Sequence, residues 1–179
     1  MWWRWSGSHA QISECGVETR LLAKHQCNAS DLAFEPGSPH LIYTCGEDGL
    51  VQHVSCHYFL LKFFHGVKTR MVANHIAGAY DLAVEPGSPH IFYSCGTDGP
   101  VNHIDLRTAA ATKLFKFQSI DDCRLDFTPL FHMAIDPMNS NIFAVAGSDK
   151  HTLLYDIRKS KRDGSTDFGQ PIDLFYPLV

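Results

Sequence analysis

The sequence has no long apolar run. The longest, Tyr58 to Phe64, is interrupted by Lys62 and falls far short of the ~20 residues a spanning helix needs. The start, Met1-Trp2-Trp3-Arg4-Trp5, lacks the apolar core of a signal peptide. Together these absences lead us to expect an intracellular, soluble chain with no membrane contact, in which the sequon Asn28-Ala29-Ser30 is a chance match. Basic charge is not in excess either. The 15 Lys and Arg are outnumbered by 19 Asp and Glu, and the net charge of −4 gives no electrostatic case for nucleic-acid binding. The six cysteines, Cys15, Cys27, Cys45, Cys56, Cys95 and Cys123, include no Cys-x-x-Cys pair. That argues against a zinc ribbon, and the missing secretory context argues against a disulfide framework. Also missing are Gly-x-Ser-x-Gly, His-Glu-x-x-His, a phosphate-cradling glycine loop and a nucleotide fingerprint.

What the sequence does contain is a repeat. Asp31-Leu32-Ala33-Phe34-Glu35-Pro36-Gly37-Ser38-Pro39-His40 returns fifty residues later as Asp81-Leu82-Ala83-Val84-Glu85-Pro86-Gly87-Ser88-Pro89-His90, with one substitution. The match runs from Gly16-Val17 with Gly66-Val67 to Val54 with Ile104. A weaker third copy, offset by 51, has as landmarks Met133 to Pro137, Ile142 to Gly147 and Tyr155 to Arg158. Such self-similarity fixes the architecture before any single residue does.

Each copy follows one local grammar. A short apolar segment ends in an acid and a proline, which has no ladder donor and stops the strand. A turn follows, Gly37-Ser38-Pro39 or Met138-Asn139-Ser140. The runs Leu41 to Cys45, Ile91 to Cys95 and Ile142 to Ala146 are aromatic and β-branched, and read as buried strands. Gly46-Glu47-Asp48-Gly49 and Gly96-Thr97-Asp98-Gly99 supply hairpin turns. Third strands are expected at Val51 to Val54, Val101 to Leu106 and Thr152 to Ile157, and a fourth at Thr112 to Phe117. No 3.6-residue stripe survives the proline and glycine punctuation, so no helix is expected. Several short strands per repeat of 40–50 residues is the pattern of a β-propeller blade.

At this level of detail the sequence resembles the WD repeats. His25 to Pro36 and His75 to Pro86 keep that family's spacing, and Asp48, Asp98 and Asp149 stand where its turn aspartate stands. The Trp-Asp position is eroded to Val54-Ser55, Ile104-Asp105 and Tyr155-Asp156. Within the family, the strings Glu-Pro-Gly-Ser-Pro-His, Tyr-Ser-Cys-Gly-x-Asp-Gly, Phe-Ala-Val-Ala-Gly-Ser-Asp and Asp-Gly-Ser-Thr-Asp-Phe-Gly-Gln-Pro are similar to one subgroup. These are the plant substrate receptors of the damage-binding-protein-one and cullin-4 associated factor 8 type. The resemblance implies a non-enzymatic scaffold in a cullin-4 RING ubiquitin ligase, without cofactor or metal, located in the nucleus or cytoplasm. Its partners would be the ligase adaptor, damage-binding protein one, and a protein substrate of unknown identity. Asp105-Leu106-Arg107 and Asp156-Ile157-Arg158 resemble the receptors' adaptor-binding box, and the first copy has lost its Arg, with Cys56-His57 in that region. The structural network that the family builds from His, a hydroxyl and Asp would use His25, Thr44 and Asp48, then His75, Ser94 and Asp98, then Asp149.

Other chemistry-bearing residues have plainer readings. Cys45 and Cys95 align with Ala146, which marks a small buried strand site. His53 and His103 fit strand packing. His53, Cys56 and His57 sit at strand spacing and point to opposite faces, unsuited to one metal. Arg158-Lys159-Ser160-Lys161-Arg162 reads as a solvated basic loop.

The expected fold is therefore all-β, an incomplete WD-repeat β-propeller of about three antiparallel blades. Residues 1–15 read as the degenerate end of a preceding blade, 16–65 as a first blade with an extra strand, and 66–117 as its tandem duplicate. Residues 118–160 read as a third blade and 161–179 as a tail beginning a missing one. The segment His57 to His65, Phe-rich over 59–64, would mark the duplication junction. At roughly 43 residues per blade, a seven-bladed ring needs about 300 residues, so the alternative expectation is a truncated remnant with no assembled function.

Overall fold

The computed structural model describes residues 2–6, 9–14, 18–58, 64–108, 110–116, 127–159 and 172–175. It is all-β and antiparallel, with fifteen strands in four sheets that follow one another along the chain. The first sheet holds β1 (Trp2–Ser6), β2 (His9–Glu14) and β3 (Glu18–Lys24). The second holds β4 (Ala29–Glu35), β5 (Ser38–Gly46), β6 (Leu50–Tyr58) and β7 (Phe64–Asn74). The third holds β8 (Ala79–Val84), β9 (Ile91–Gly96), β10 (Pro100–Asp105) and β11 (Ala110–Lys116). The fourth holds β12 (Leu130–Asp136), β13 (Asn139–Gly147), β14 (Thr152–Asp156) and β15 (Asp173–Phe175). The one helical element among the described residues is the 3₁₀ turn Ile157–Lys159, and no helix there is long and apolar enough to cross a membrane.

Successive sheets pack face to face, and strand alternation decides which residue meets which neighbour. In the second sheet, Ile42, Val54 and Cys56 turn back onto Leu22 and Ala23 of β3. Tyr43, Cys45 and Val51 turn forward onto Leu82, Phe92 and Ile104 of the third sheet. The third sheet repeats the arrangement. Tyr93, Cys95 and Val101 face Leu130, Met133 and Phe143 of the fourth. The Tyr43 and Phe92 rings stack with centroids 4.2 Å apart, and Tyr93 meets Phe143 edge-on at 4.7 Å. A strand covered on both faces has no solvent side, which is why Leu41 to Cys45 and Ile91 to Cys95 are apolar except for Thr44 and Ser94, whose hydroxyls are hydrogen-bonded. Burying one side chain the size of Phe92 contributes about 1.5–3 kcal/mol.

Several boundaries differ from those read off the repeat. The sheets are out of phase with it, because β7, which opens the second copy, pairs with β6 and closes the sheet built from the first. Likewise β3 pairs with β2, so the first sheet runs on to Lys24 instead of ending at residue 15. Pairing across a hairpin is stronger than kinship in sequence, and it assigns each repeat's opening strand to the sheet before. Asp173–Phe175 does not begin a further sheet, since it pairs with β14 as the outer strand of the fourth. Among the described residues there are three four-stranded sheets, preceded by one of three strands where only the end of a blade was expected. β6 and β7 are longer than expected and their pairing extends to Tyr58 with Phe64. The Phe-rich stretch between them, 59–63, lies outside the described residues. The packing runs from each sheet to the next, and the sheets are not closed on themselves.

The hairpin turns depend on glycine. Gly37, Gly49, Gly87 and Gly99 all have φ between 77° and 91°, a region that costs other residues about 1–2 kcal/mol. Their surroundings differ. A Cβ on Gly87 would meet nothing within 4 Å, whereas one on Gly99 would sit 2.6 Å from the Phe127 ring. Gly87→Ala is therefore expected to lose only the backbone term. Gly99→Ala should lose about 1–3 kcal/mol more through overpacking. Denaturant midpoints of the two variants test this, and equal losses would contradict it.

Candidate functional site

The most ordered polar chemistry lies where each sheet's central hairpin turn meets the segment leading into its first strand. The Glu47 N–H donates to the Asn28 carbonyl, the Thr97 N–H to the Gly78 carbonyl and the Ser148 N–H to the Pro129 carbonyl. These three bonds hold the turn aspartates Asp48, Asp98 and Asp149 in equivalent places. His25 is buried beneath the first turn, with Nδ1 2.9 Å from Asp48 and Nε2 3.1 Å from the Thr44 hydroxyl. His75 is buried beneath the second, with Nδ1 2.7 Å from Asp98 and Nε2 2.9 Å from the Ser94 hydroxyl. Each aspartate also accepts the N–H after the histidine, from Gln26 at 2.7 Å and Ile76 at 3.0 Å. Glycine makes this approach possible, since a Cβ on Gly46 would lie 2.7 Å from the His25 ring and one on Gly96 3.1 Å from the His75 ring. In the fourth sheet Asp149 accepts from the Thr128 hydroxyl at 2.9 Å.

The copies differ in a way the repeat did not announce. Asn102 on β10 donates from Nδ2 to His75 Nε2 at 3.0 Å, adding a third side chain to this network. Its counterpart Gln52 is one methylene longer and donates instead to the Lys24 carbonyl, 3.0 Å away in the first sheet. Gln52 Oε1 is left buried without a partner. The tautomer with its proton on Nδ1 suits His75 best, donating to Asp98 and leaving the single Nε2 lone pair to be shared by the Ser94 and Asn102 donors.

Burial pushes both turn carboxyls up, but their donors outweigh it. Asp48 lies below its ordinary value because the Gln26 N–H, His25 and the Leu50 N–H favour its charged form. Asp98 lies below its own through His75, the Ile76 N–H and the charge of Lys113. Pro100 stands where Leu50 stands and has no N–H to offer, so Asp98 makes no equivalent of the Leu50 bond.

Asp105-Leu106-Arg107 and Asp156-Ile157-Arg158 form matching forks at the ends of β10 and β14. Arg107 donates from Nε to Asp105 Oδ1 at 3.0 Å and from Nη2 to Oδ2 at 2.8 Å. Arg158 donates to Asp156 at 2.9 and 2.7 Å in the same way. The backbone N–H of each arginine also reaches its aspartate. The Arg107 hydrogen bonds hold Asp105 down at about 2. The arginine side chains remain 62% and 61% exposed. A guanidinium fixed in orientation by its own carboxylate, yet open to solvent, is preorganised to meet a further acceptor.

The remaining candidates sit in the packing. Cys45 and Cys95 are buried, and burial pushes both thiols up. Cys27, Cys45, Cys56 and Cys95 are free thiols. His53 stacks on Tyr43 at 5.4 Å and His103 meets Tyr93 at 5.3 Å. Burial, with Arg70 nearby, lowers His53, whose Nε2 has no hydrogen-bond partner. Among the described residues no group of three or more His, Cys, Asp and Glu side chains could hold a metal ion. Residues 160–162 of the basic cluster lie outside the described residues.

One set of residues was not singled out from the sequence. Asp31, Asp81 and His132 occupy equivalent places on β4, β8 and β12, opposite Cys45, Cys95 and Ala146 in register. Asp31 Oδ2 accepts the Leu82 N–H at 3.0 Å, and Asp81 Oδ2 accepts the Met133 N–H at 2.7 Å. Each carboxylate thus bonds the backbone of the next sheet, one residue past its own counterpart. The signal was present in the aligned copies, but only the contact between sheets gives it meaning.

No protein-family model matches the chain, and no curated protein matches it significantly.

The turn networks set the acid limit of stability. The folded values of Asp48 and Asp98 lie below the unfolded value near 3.9. Their contribution is complete above that value and fades as pH falls through the folded ones. The double variant D48N/D98N should therefore be less stable than wild type at pH 6. The gap should narrow as pH falls below about 4 in pH-resolved denaturant unfolding. A gap that stays constant with pH would show that the carboxylate charge plays no part.

Proposed function

We propose that the chain is a non-enzymatic protein-binding scaffold of the WD-repeat β-propeller type, acting as a substrate-receptor subunit of a cullin-4 RING ubiquitin ligase. Such a subunit works in the nucleus or cytoplasm and does no chemistry itself. One edge docks the adaptor, damage-binding protein one, and another surface holds the protein to be modified. The repeat grammar supports this reading, as do the His–hydroxyl–Asp networks under two successive turns and the meander order of each four-stranded sheet.

The observation that carries the adaptor reading is the pair of forks, Asp105 with Arg107 and Asp156 with Arg158. They recur at the same point of two neighbouring sheets. Each offers an oriented cation whose remaining donors suit carbonyl or carboxylate oxygens. The second sheet has Cys56 and His57 in that region and no arginine, so among the described residues the fork is presented by the last two sheets.

Because both arginines are largely exposed, R107A/R158A should fold as the wild type does, since solvent screens surface pairs of this kind. Binding to the purified adaptor should fall at least tenfold in a pull-down or by biolayer interferometry. Undiminished binding by a variant with unchanged circular dichroism would overturn the adaptor reading, as would no binding by the wild type.

A further inference from the structure

Two carboxylates from different sheets meet at one backbone amide. The Leu82 N–H lies 3.0 Å from Asp31 Oδ2 and 2.9 Å from Asp81 Oδ1, so the two carboxyls crowd a single donor. Two carboxyls held this close repel when both are charged, so the arrangement favours the state in which one of them carries a proton. The surroundings supply little relief for a second negative charge. From β5 and β9 the titratable groups facing the pair are the buried thiols Cys45 and Cys95, with Asp98 further along the third sheet. From β12 comes His132, whose Nδ1 is 3.7 Å from Asp81 Oδ2 and whose side chain is 81% exposed.

We propose that Asp31 and Asp81 form a protonation-dependent latch between the second and third sheets, closed when one proton lies between the two carboxyls and strained when it leaves. Closed, the pair ties β4 to β8 through the shared proton and the Leu82 amide. Asp81 meanwhile keeps its other oxygen on Met133 of β12, so the same residue links three sheets. Open, two like charges repel at the line where the sheets' first strands approach.

The pH window follows from Asp31. Burial, then the hydrogen bond and charge of Asp81, raise it to about 7, against the pull of the Leu32 and Leu82 amides. Its folded value therefore lies above its unfolded one. The stabilisation it gives is complete below about pH 4 and is lost as pH rises toward 7, with no further loss above. This slope is opposite in sign to that of Asp48 and Asp98 and lies in a higher range.

The experiment compares the full-length wild type with D31N, whose amide donates permanently to Asp81 while its carbonyl still accepts from Leu82. Unfolding constants are measured in denaturant at pH 5, 6, 7 and 8. The ratio of wild-type to D31N unfolding constants should rise about tenfold between pH 5 and 7, allowing for partial exposure of the carboxyl, and then level off. His53 titrates alike in both proteins and cancels in the ratio. A ratio independent of pH would overturn the latch. D81N, which places the amide on the other partner, should give the same profile. Failure of both amide variants to fold at pH 8 would also count against it, because each mimics the closed state.

Discussion

Everything in this molecule depends on the second and third sheets being covered on both faces by their neighbours. A four-stranded antiparallel sheet standing alone would expose Ile42, Val54 and Cys56 on one side and Tyr43, Cys45 and Val51 on the other. Only stacking removes both sets from water. The facing pairs are chosen by position in the repeat. The tyrosine that a sheet turns forward meets the phenylalanine that the next sheet turns back, first as Tyr43 on Phe92 and then as Tyr93 on Phe143. At the first interface, where Ile42 occupies the phenylalanine position, the partners are the smaller Leu22 and Ala23. The duplicated copy thus fits between its neighbours because it carries both halves of the contact.

Two sets of polar groups work around this apolar stack. At the turns, His25 and His75 fix each hairpin to the chain entering its own sheet, an interaction within a sheet. Along the first strands, Asp31 and Asp81 reach the backbone of the sheet that follows, an interaction between sheets. The first kind shapes the unit and the second sets its spacing to the next. The copies have drifted apart in the polar details while holding the apolar ones. Asn102 completes the His75 network, whereas Gln52 reaches to Lys24 and leaves an acceptor unpaired.

Much of this was legible in the sequence because repetition supplies its own alignment. The strand runs at Leu41 to Cys45 and Ile91 to Cys95, the turns at Asp48 and Asp98, and the small-residue site shared by Cys45, Cys95 and Ala146 could all be read by laying one copy over another. The His–hydroxyl–Asp geometry was nameable residue by residue from the spacing of the family that the repeats resemble. Sheet boundaries were not, because a repeat records ancestry and a sheet records hydrogen bonding. The strand Phe64–Asn74 belongs to one copy by sequence and to the previous sheet by pairing. The short strand Asp173–Phe175 carries too few residues to show a pattern of its own. Asp31 and Asp81 looked like parts of an apolar segment, since their partners are backbone amides in another sheet and leave no trace in side-chain identity.

The proposed receptor role needs a rigid edge more than it needs any reactive group. A stack held through its faces can present Arg107 and Arg158 at a fixed separation, whereas independent sheets could not. Mutual support across the faces is therefore the central claim, and a double-mutant cycle on Tyr43 and Phe92 tests it most directly. With Y43L, F92L and the double variant measured in the full chain, the account predicts a coupling of about 1 kcal/mol, the loss in the double variant falling short of the sum of the single losses by that amount. Losses that add within about 0.3 kcal/mol would show that the second and third sheets do not depend on each other, and would contradict it.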